Sequence, residues 1–179
     1  VAAIEALLDD LLAHFNMDNP AASLPKLGNI IASVQALPAS SWRQAKMKAL
    51  HQLVLKCTGI YAEATVAKPE IVNGDTVSIA VNIINRSKAN VILLGIEGGS
   101  GIYKDEQNLM PNKMFSHTLR TPFGSSLMQT QPYWLRQQQD GALFNIAEQQ
   151  WVGMAENTPP QATIYLKIDN IELQLEQPI

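Results

Sequence analysis

Cysteine is nearly absent from this sequence: Cys57 is the only one among 179 residues. Within one chain that excludes a disulfide framework and a thiolate-rich zinc site, although it does not identify a compartment. Histidine is scarce as well. His14, His51 and His117 stand far apart, none of them in an H-x-x-x-H or H-x-D pair. A zinc site needs three or four donors converging at about 2.0–2.3 Å, and this spacing supplies no such set. Charge is sparse, at 16% of residues, with a net value of -3. The densest basic cluster, Arg43, Lys46 and Lys48, is spread around a helix by its spacing, which leaves no electrostatic footprint for nucleic acid and no polybasic membrane patch. No apolar run reaches the length of about 18 residues that a spanning helix requires. The opening Val1-Ala2-Ala3-Ile4-Glu5 has neither the charged start nor the apolar run of a signal peptide, and no initiator Met; the expectation is a fragment trimmed from a longer protein.

What is present is a hydrophobic fraction of 46%, enough for a folded core, arranged in two periods. Ile4, Leu7, Leu8, Leu11, Leu12 and Phe15 recur at helical spacing with Glu5, Asp9 and Asp10 opposite, and Asn19-Pro20 ends that pattern. Leu24, Leu27, Ile30, Ile31, Val34 and Leu37 repeat it, with Pro25 in the first turn and Pro38 as the stop. A third helix is predicted from Ser40 or Ser41, either able to cap it, with an apolar face of Trp42, Ala45, Ala49, Leu53 and Cys57, flanked by Leu50 and Val54. Gly59 is its end signal.

After Gly59 the period falls to two. Val77, Ile79, Val81 and Ile83 alternate with Thr76, Ser78, Ala80 and Asn82, following an Asn73-Gly74-Asp75 turn. Val91 to Ile96 is a continuous apolar run, the pattern of a buried central strand, and Met114 to Leu119 is a further strand candidate. Ala162 to Ile168 and Ile171 to Leu175 both alternate, joined by a tight Asp169-Asn170 turn. Residues 98–111 and 137–160 are less regular. No helical pattern alternates with these strands, so a parallel α/β fold is not expected. The expectation is an α+β chain: a three-helix segment over 1–59, then an antiparallel, immunoglobulin-like β-sandwich over 60–179. A helical segment of about 60 residues is marginal alone, so its apolar faces are expected to pack on the sandwich, on a neighbouring domain, or on both.

Few residues invite a chemical role, and no catalytic residue, metal ligand or cofactor is assigned. There is no G-x-S-x-G elbow. Gly98-Gly99-Ser100-Gly101 lacks the Lys and the following helix of a phosphate loop, and reads as a flexible inter-strand loop. Cys57 reads as an inert thiol on an apolar helix face. Glu97, Asp105, Glu106, Asp140, Glu148 and Glu156 are isolated carboxylates, and a stand-alone hydrolase would need some of them, or His117, to converge in space. Asn85-Arg86-Ser87 matches an N-glycosylation acceptor and equally a polar turn between strands. The most distinctive local feature is Tyr133-Trp134-Leu135-Arg136, to which Trp151 adds a third aromatic side chain. Flat aromatic faces and a forked guanidinium suit a pyranose ring, so Tyr133, Trp134, Arg136 and Trp151 are the candidate carbohydrate-binding residues; the competing reading is core or edge-covering aromatics.

One ordered set of segments resembles a known family. Leu53-Val54-Leu55-Lys56-Cys57-Thr58-Gly59-Ile60-Tyr61-Ala62-Glu63-Ala64 leads into Asn73-Gly74-Asp75 and Val81-Asn82-Ile83-Ile84-Asn85-Arg86-Ser87, with Gln131-Pro132-Tyr133-Trp134-Leu135 and Val152-Gly153-Met154-Ala155-Glu156-Asn157 later. From about residue 40 onward this order is similar to the region downstream of the catalytic domain in large bacterial PIG-L/LmbE-family deacetylase-like proteins. The resemblance implies zinc-dependent removal of N-acetyl groups from N-acetylglucosamine-type substrates by a domain bearing an A-H-P-D-D-type motif. That motif is absent here, so no catalytic or zinc residue carries over. The implied role is an accessory module partnered by an upstream catalytic domain of the same polypeptide, or one that positions a glycan, in an extracytoplasmic setting.

Overall fold

In the computed structural model, the described residues are 2–68, 70, 72, 74–122, 132–135, 137–146, 152–153 and 160–179. Three helices come first: α1 (Ala2–Ala13), α2 (Leu24–Gln35) and α3 (Ser41–Thr58). Among the described residues eight strands follow: β1 (Tyr61–Val66), β2 (Thr76–Ile84), β3 (Val91–Gly98), β4 (Gly101–Tyr103), β5 (Gln107–Asn108), β6 (Met114–Pro122), β7 (Gln161–Ile168) and β8 (Ile171–Pro178). Every pairing among them is antiparallel, so the chain is α+β with two antiparallel sheets. One sheet has the order β1-β2-β6; the other runs β4-β3-β7-β8, with β5 also paired to β3.

The helices form for local reasons. A 3-10 turn at Pro20–Ser23 follows α1, and Pro25 sits in the first turn of α2, where its missing N–H has no intrahelical partner to lose. Leu24, Leu27, Ile30, Ile31 and Val34 of α2 are all buried, as their spacing predicts. Ser40 caps α3, its hydroxyl accepting from the Arg43 N–H at 3.1 Å. Gly59 closes α3 in the left-handed region, φ 60°, a conformation costly for a residue with a Cβ. Lys26 ties α1 to α2: its Nζ lies 2.7 Å from Asp10 Oδ2.

The buried face of α3 differs from the sequence expectation. Leu50, Val54 and Thr58 point into the core, while Trp42, Ala45, Ala49 and Leu53 are exposed. Both sets recur at helical spacing, so periodicity alone could not choose between them. The two β-branched residues and Leu50 pack inward, and the wider apolar stripe faces out.

The two sheets meet face to face at Gly98. A Cβ there would lie 3.0 Å from Ile79 Cδ1 and 3.5 Å from Leu119 Cδ1, both from the opposite sheet. The Gly98-Gly99-Ser100-Gly101 segment is an inter-strand connection, as expected: a tight β3–β4 turn, with Gly98 paired to Gly101 and the Ser100 N–H donating to Thr121 Oγ1 at 2.9 Å. The apolar run in β3 also has a specific cause. The register slips between Leu93 and Gly95, so the inward set changes from Val91 and Leu93 to Ile96 and Gly98, and the sequence loses its alternation at the bulge. At the far end, Ile168 pairs with Ile171 across the Asp169-Asn170 turn, where Asp169 takes φ 49°. Side chains from α2, α3 and both sheets belong to a single buried cluster.

Candidate functional site

Among the described residues, polar groups stand beside accessible space in several places. One is a groove of about 820 Å³ between α2, α3 and the β7–β8 turn. Leu24, Ile31, Met47 and Ile171 give it an apolar floor, and His51 and Glu172 stand on its walls. Burial pushes the His51 imidazole below its ordinary value, so it favours the neutral form.

A second is the outer face of the β1-β2-β6 sheet. Register places Glu63, Asn82 and Ser116 directly opposite one another across the three strands. They are joined: Asn82 Nδ2 donates to Glu63 Oε1 at 2.9 Å, and Ser116 Oγ donates to Asn82 Oδ1 at 2.7 Å. Tyr61 donates its hydroxyl to the other Glu63 oxygen at 2.7 Å, and the Arg86 guanidinium carbon lies 5.7 Å from the Tyr61 ring centre. The Tyr61 hydrogen bond, then that from Asn82, holds the Glu63 carboxyl below the usual carboxylate range; the same bond raises the Tyr61 phenol. A comparable pair lies on the other sheet, where Tyr165 donates to Glu97 at 2.8 Å and its phenol is raised by that contact.

A third is the aromatic segment. Tyr133 and Trp134 are half-buried in a single helical turn, with ring centres 4.9 Å apart and planes at 87°, an edge-to-face pair rather than a coplanar surface. The Tyr133 hydroxyl accepts from the Gly153 N–H at 3.4 Å. Arg136 and Trp151, named with them from the sequence, lie outside the described residues, as do Glu148 and Glu156.

The remaining sequence candidates are dispersed. His14 directly follows α1 and lies beside Asp10, 3.0 Å from its Oδ1. His117 sits against the Tyr103 ring, centres 4.2 Å apart, at the seam between β4 and β6. Asp140 is in a turn, bridged to Leu143 by backbone bonds of 3.0 and 2.9 Å. Cys57 is half-buried, and burial raises its thiol. Among the described residues no group of three His, Cys, Asp or Glu side chains is placed to hold a metal ion, and no helix is long and apolar enough to cross a membrane.

Asn85 resolves the glycosylation question. Its side chain is 0% exposed. Nδ2 donates to the Ala89 and Leu109 carbonyls, both at 3.1 Å, while Oδ1 accepts from the Ser87 N–H and hydroxyl, both at 3.0 Å. The Asn85-Arg86-Ser87 segment is thus a polar turn between β2 and β3 whose amide is committed inside the fold.

Sequence reasoning missed the Glu63–Asn82–Ser116 row because it did not find β1. Ala62 and Ala64 supply the buried face of that strand, and alanine gives little hydrophobic contrast. The alternation Tyr61, Glu63, Thr65 against Ala62, Ala64, Val66 was the available signal. Comparison with protein-family models, with curated proteins and with solved structures found no match.

Proposed function

We propose that this chain is a non-catalytic accessory module of a larger PIG-L/LmbE-like deacetylase: an immunoglobulin-like sandwich whose helices dock on the catalytic domain of the same polypeptide. The observation that carries this reading is a doubled apolar surface on the helices. One stripe of α1, Ile4, Leu7 and Leu11, packs on the core, while a second, Leu8 and Leu12, continuing to Phe15, stands exposed, Leu12 at 70%. On α3 the stripe Trp42, Ala45, Ala49 and Leu53 is exposed in the same way, Trp42 at 52%. Helices that need one apolar stripe for their own core and carry two have surface suited to a partner. The resemblance from residue 40 onward names that partner as a deacetylase domain.

Two measurements test the proposal. Reading the gene 5′ of the Val1 codon is expected to reveal a domain with an A-H-P-D-D-type motif; a frame with no such domain overturns the deacetylase assignment. Hydrogen–deuterium exchange of the joined polypeptide is expected to show α1 and the first half of α3 protected relative to the 179-residue chain. Equal exchange in both overturns the docking role.

A further inference from the structure

We propose that the outer face of the β1-β2-β6 sheet is a glycan-binding site, in which Glu63, Asn82 and Ser116 hydrogen-bond the hydroxyls of a neutral pyranose oligosaccharide and Tyr61 and Met114 meet its C–H faces. The site uses different elements from the helical docking surface and stands independently of it.

Register organises this face as three parallel rows, each crossing all three strands. Tyr61, Ile84 and Met114 form an apolar row. Next to it lies the polar row Glu63, Asn82 and Ser116, and beyond that the small row Thr65, Ala80 and Thr118. A pyranose ring has the same division: apolar C–H faces and a hydroxyl-bearing edge. With strands about 4.8 Å apart, each row spans about 10 Å, close to two sugar units laid across the strands. The small row leaves room beside the polar one.

The apolar row is not explained by the core. Tyr61 is 44% and Met114 61% exposed, on a sheet face turned away from the buried cluster. The polar row is ordered before any ligand arrives. Each Glu63 oxygen already accepts one hydrogen bond and keeps a lone pair, and the Asn82 amide keeps a second N–H. Ser116 retains its acceptor capacity while its proton is given to Asn82. Tyr61 is fixed at one end by Glu63 and on its face by Arg86, so little side-chain freedom remains to be lost on binding. The acceptors outnumber the donors, which matches a ligand rich in hydroxyl donors. The Glu63 carboxyl, held low in its titration range, stays ionised, which makes it a strong acceptor for those donors.

The test uses the 179-residue chain and a panel of cello-, manno- and malto-oligosaccharides, with titration followed by amide chemical shifts and by calorimetry. At least one series is expected to bind, with shifts centred on Glu63, Asn82 and Ser116. Glu63→Gln, which keeps the shape and an acceptor oxygen, is expected to weaken binding about tenfold, the equivalent of one charge-assisted hydrogen bond. Met114→Ala is expected to weaken it while leaving the Glu63 row intact, and Trp134→Ala to leave it unchanged. Binding that survives both Glu63→Gln and Met114→Ala overturns the proposal. So does binding that is lost in Trp134→Ala, which would place the sugar on the other aromatic segment. No binding by any member of the panel overturns it as well.

Discussion

At the scale of single residues, the most consequential side chain is one whose motif suggested a modification. Asn85 connects β2 to the start of β3 and to the segment before β6, through four hydrogen bonds made at complete burial. Asn85→Ala leaves the Ala89 and Leu109 carbonyls and the Ser87 N–H without that partner, and the expected loss is about 3 kcal/mol by denaturant titration. A loss below about 1 kcal/mol would show that water replaces the amide. His51 sets a different test. Its folded pKa lies below the ordinary value of about 6.5, so the unfolded chain binds the proton first as pH falls. This contribution is therefore neutral above that value and destabilising below it. The melting temperature is expected to decline from pH 7 to pH 5, and His51→Gln to flatten that decline. Glu63 and Asp10, both held low, act in a separate window: their stabilisation is present above the usual carboxylate range and is lost only as pH falls through it. An unchanged slope in His51→Gln would remove His51 as the cause.

At the scale of elements, periodicity located α1, α2, α3, β2, β3, β6, β7 and β8; it failed to choose a buried face where two patterns competed and to find a strand where contrast was low. In α3 two stripes at helical spacing were present, and the expected one, with Trp42, Ala45, Ala49 and Leu53, is the exposed one. β1 was hidden by its alanines, and the β3 bulge turned an alternating strand into an apparently continuous run. The inter-strand position of the Gly98 turn was legible, but its packing was not: the opposite sheet lies 3.0 Å from a Cβ at Gly98. That constraint is testable across the two sheets. Gly98→Ala overpacks against Ile79 Cδ1 and is expected to cost about 1–3 kcal/mol. Ile79→Val removes that carbon at a cost of about 0.5–1.5 kcal/mol alone. The double substitution is expected to be no less stable than Gly98→Ala, since the valine relieves the clash. Simple addition of the two losses would mean that Gly98 is required for another reason.

At the scale of the whole molecule, the candidate binding face was the least legible feature, because it exists only through register. Glu63, Asn82 and Ser116 are separated by 19 and 34 positions in sequence and become neighbours only when three strands align. The α+β class, by contrast, was readable from the change of period at Gly59. What joins the helices to the sheets is also a tertiary fact. The Gly28 position in α2 faces Ile171 at the β7–β8 turn, 3.7 Å from a Cβ to Ile171 Cγ1, beside the open groove. Ile171 is buried and belongs to the same cluster as Leu24, Leu27 and Ile31. A helical layer of this size is marginal alone, so its stability depends on that shared core. Ile171→Ala is therefore expected to cost about 2–4 kcal/mol and to lower the exchange protection of α2 and of β7 by the same amount, with one cooperative transition retained. If α2 lost protection while β7 kept it, the helices would be a separately melting layer, and their exposed apolar stripes would be available to a docking partner without any change in the sheets.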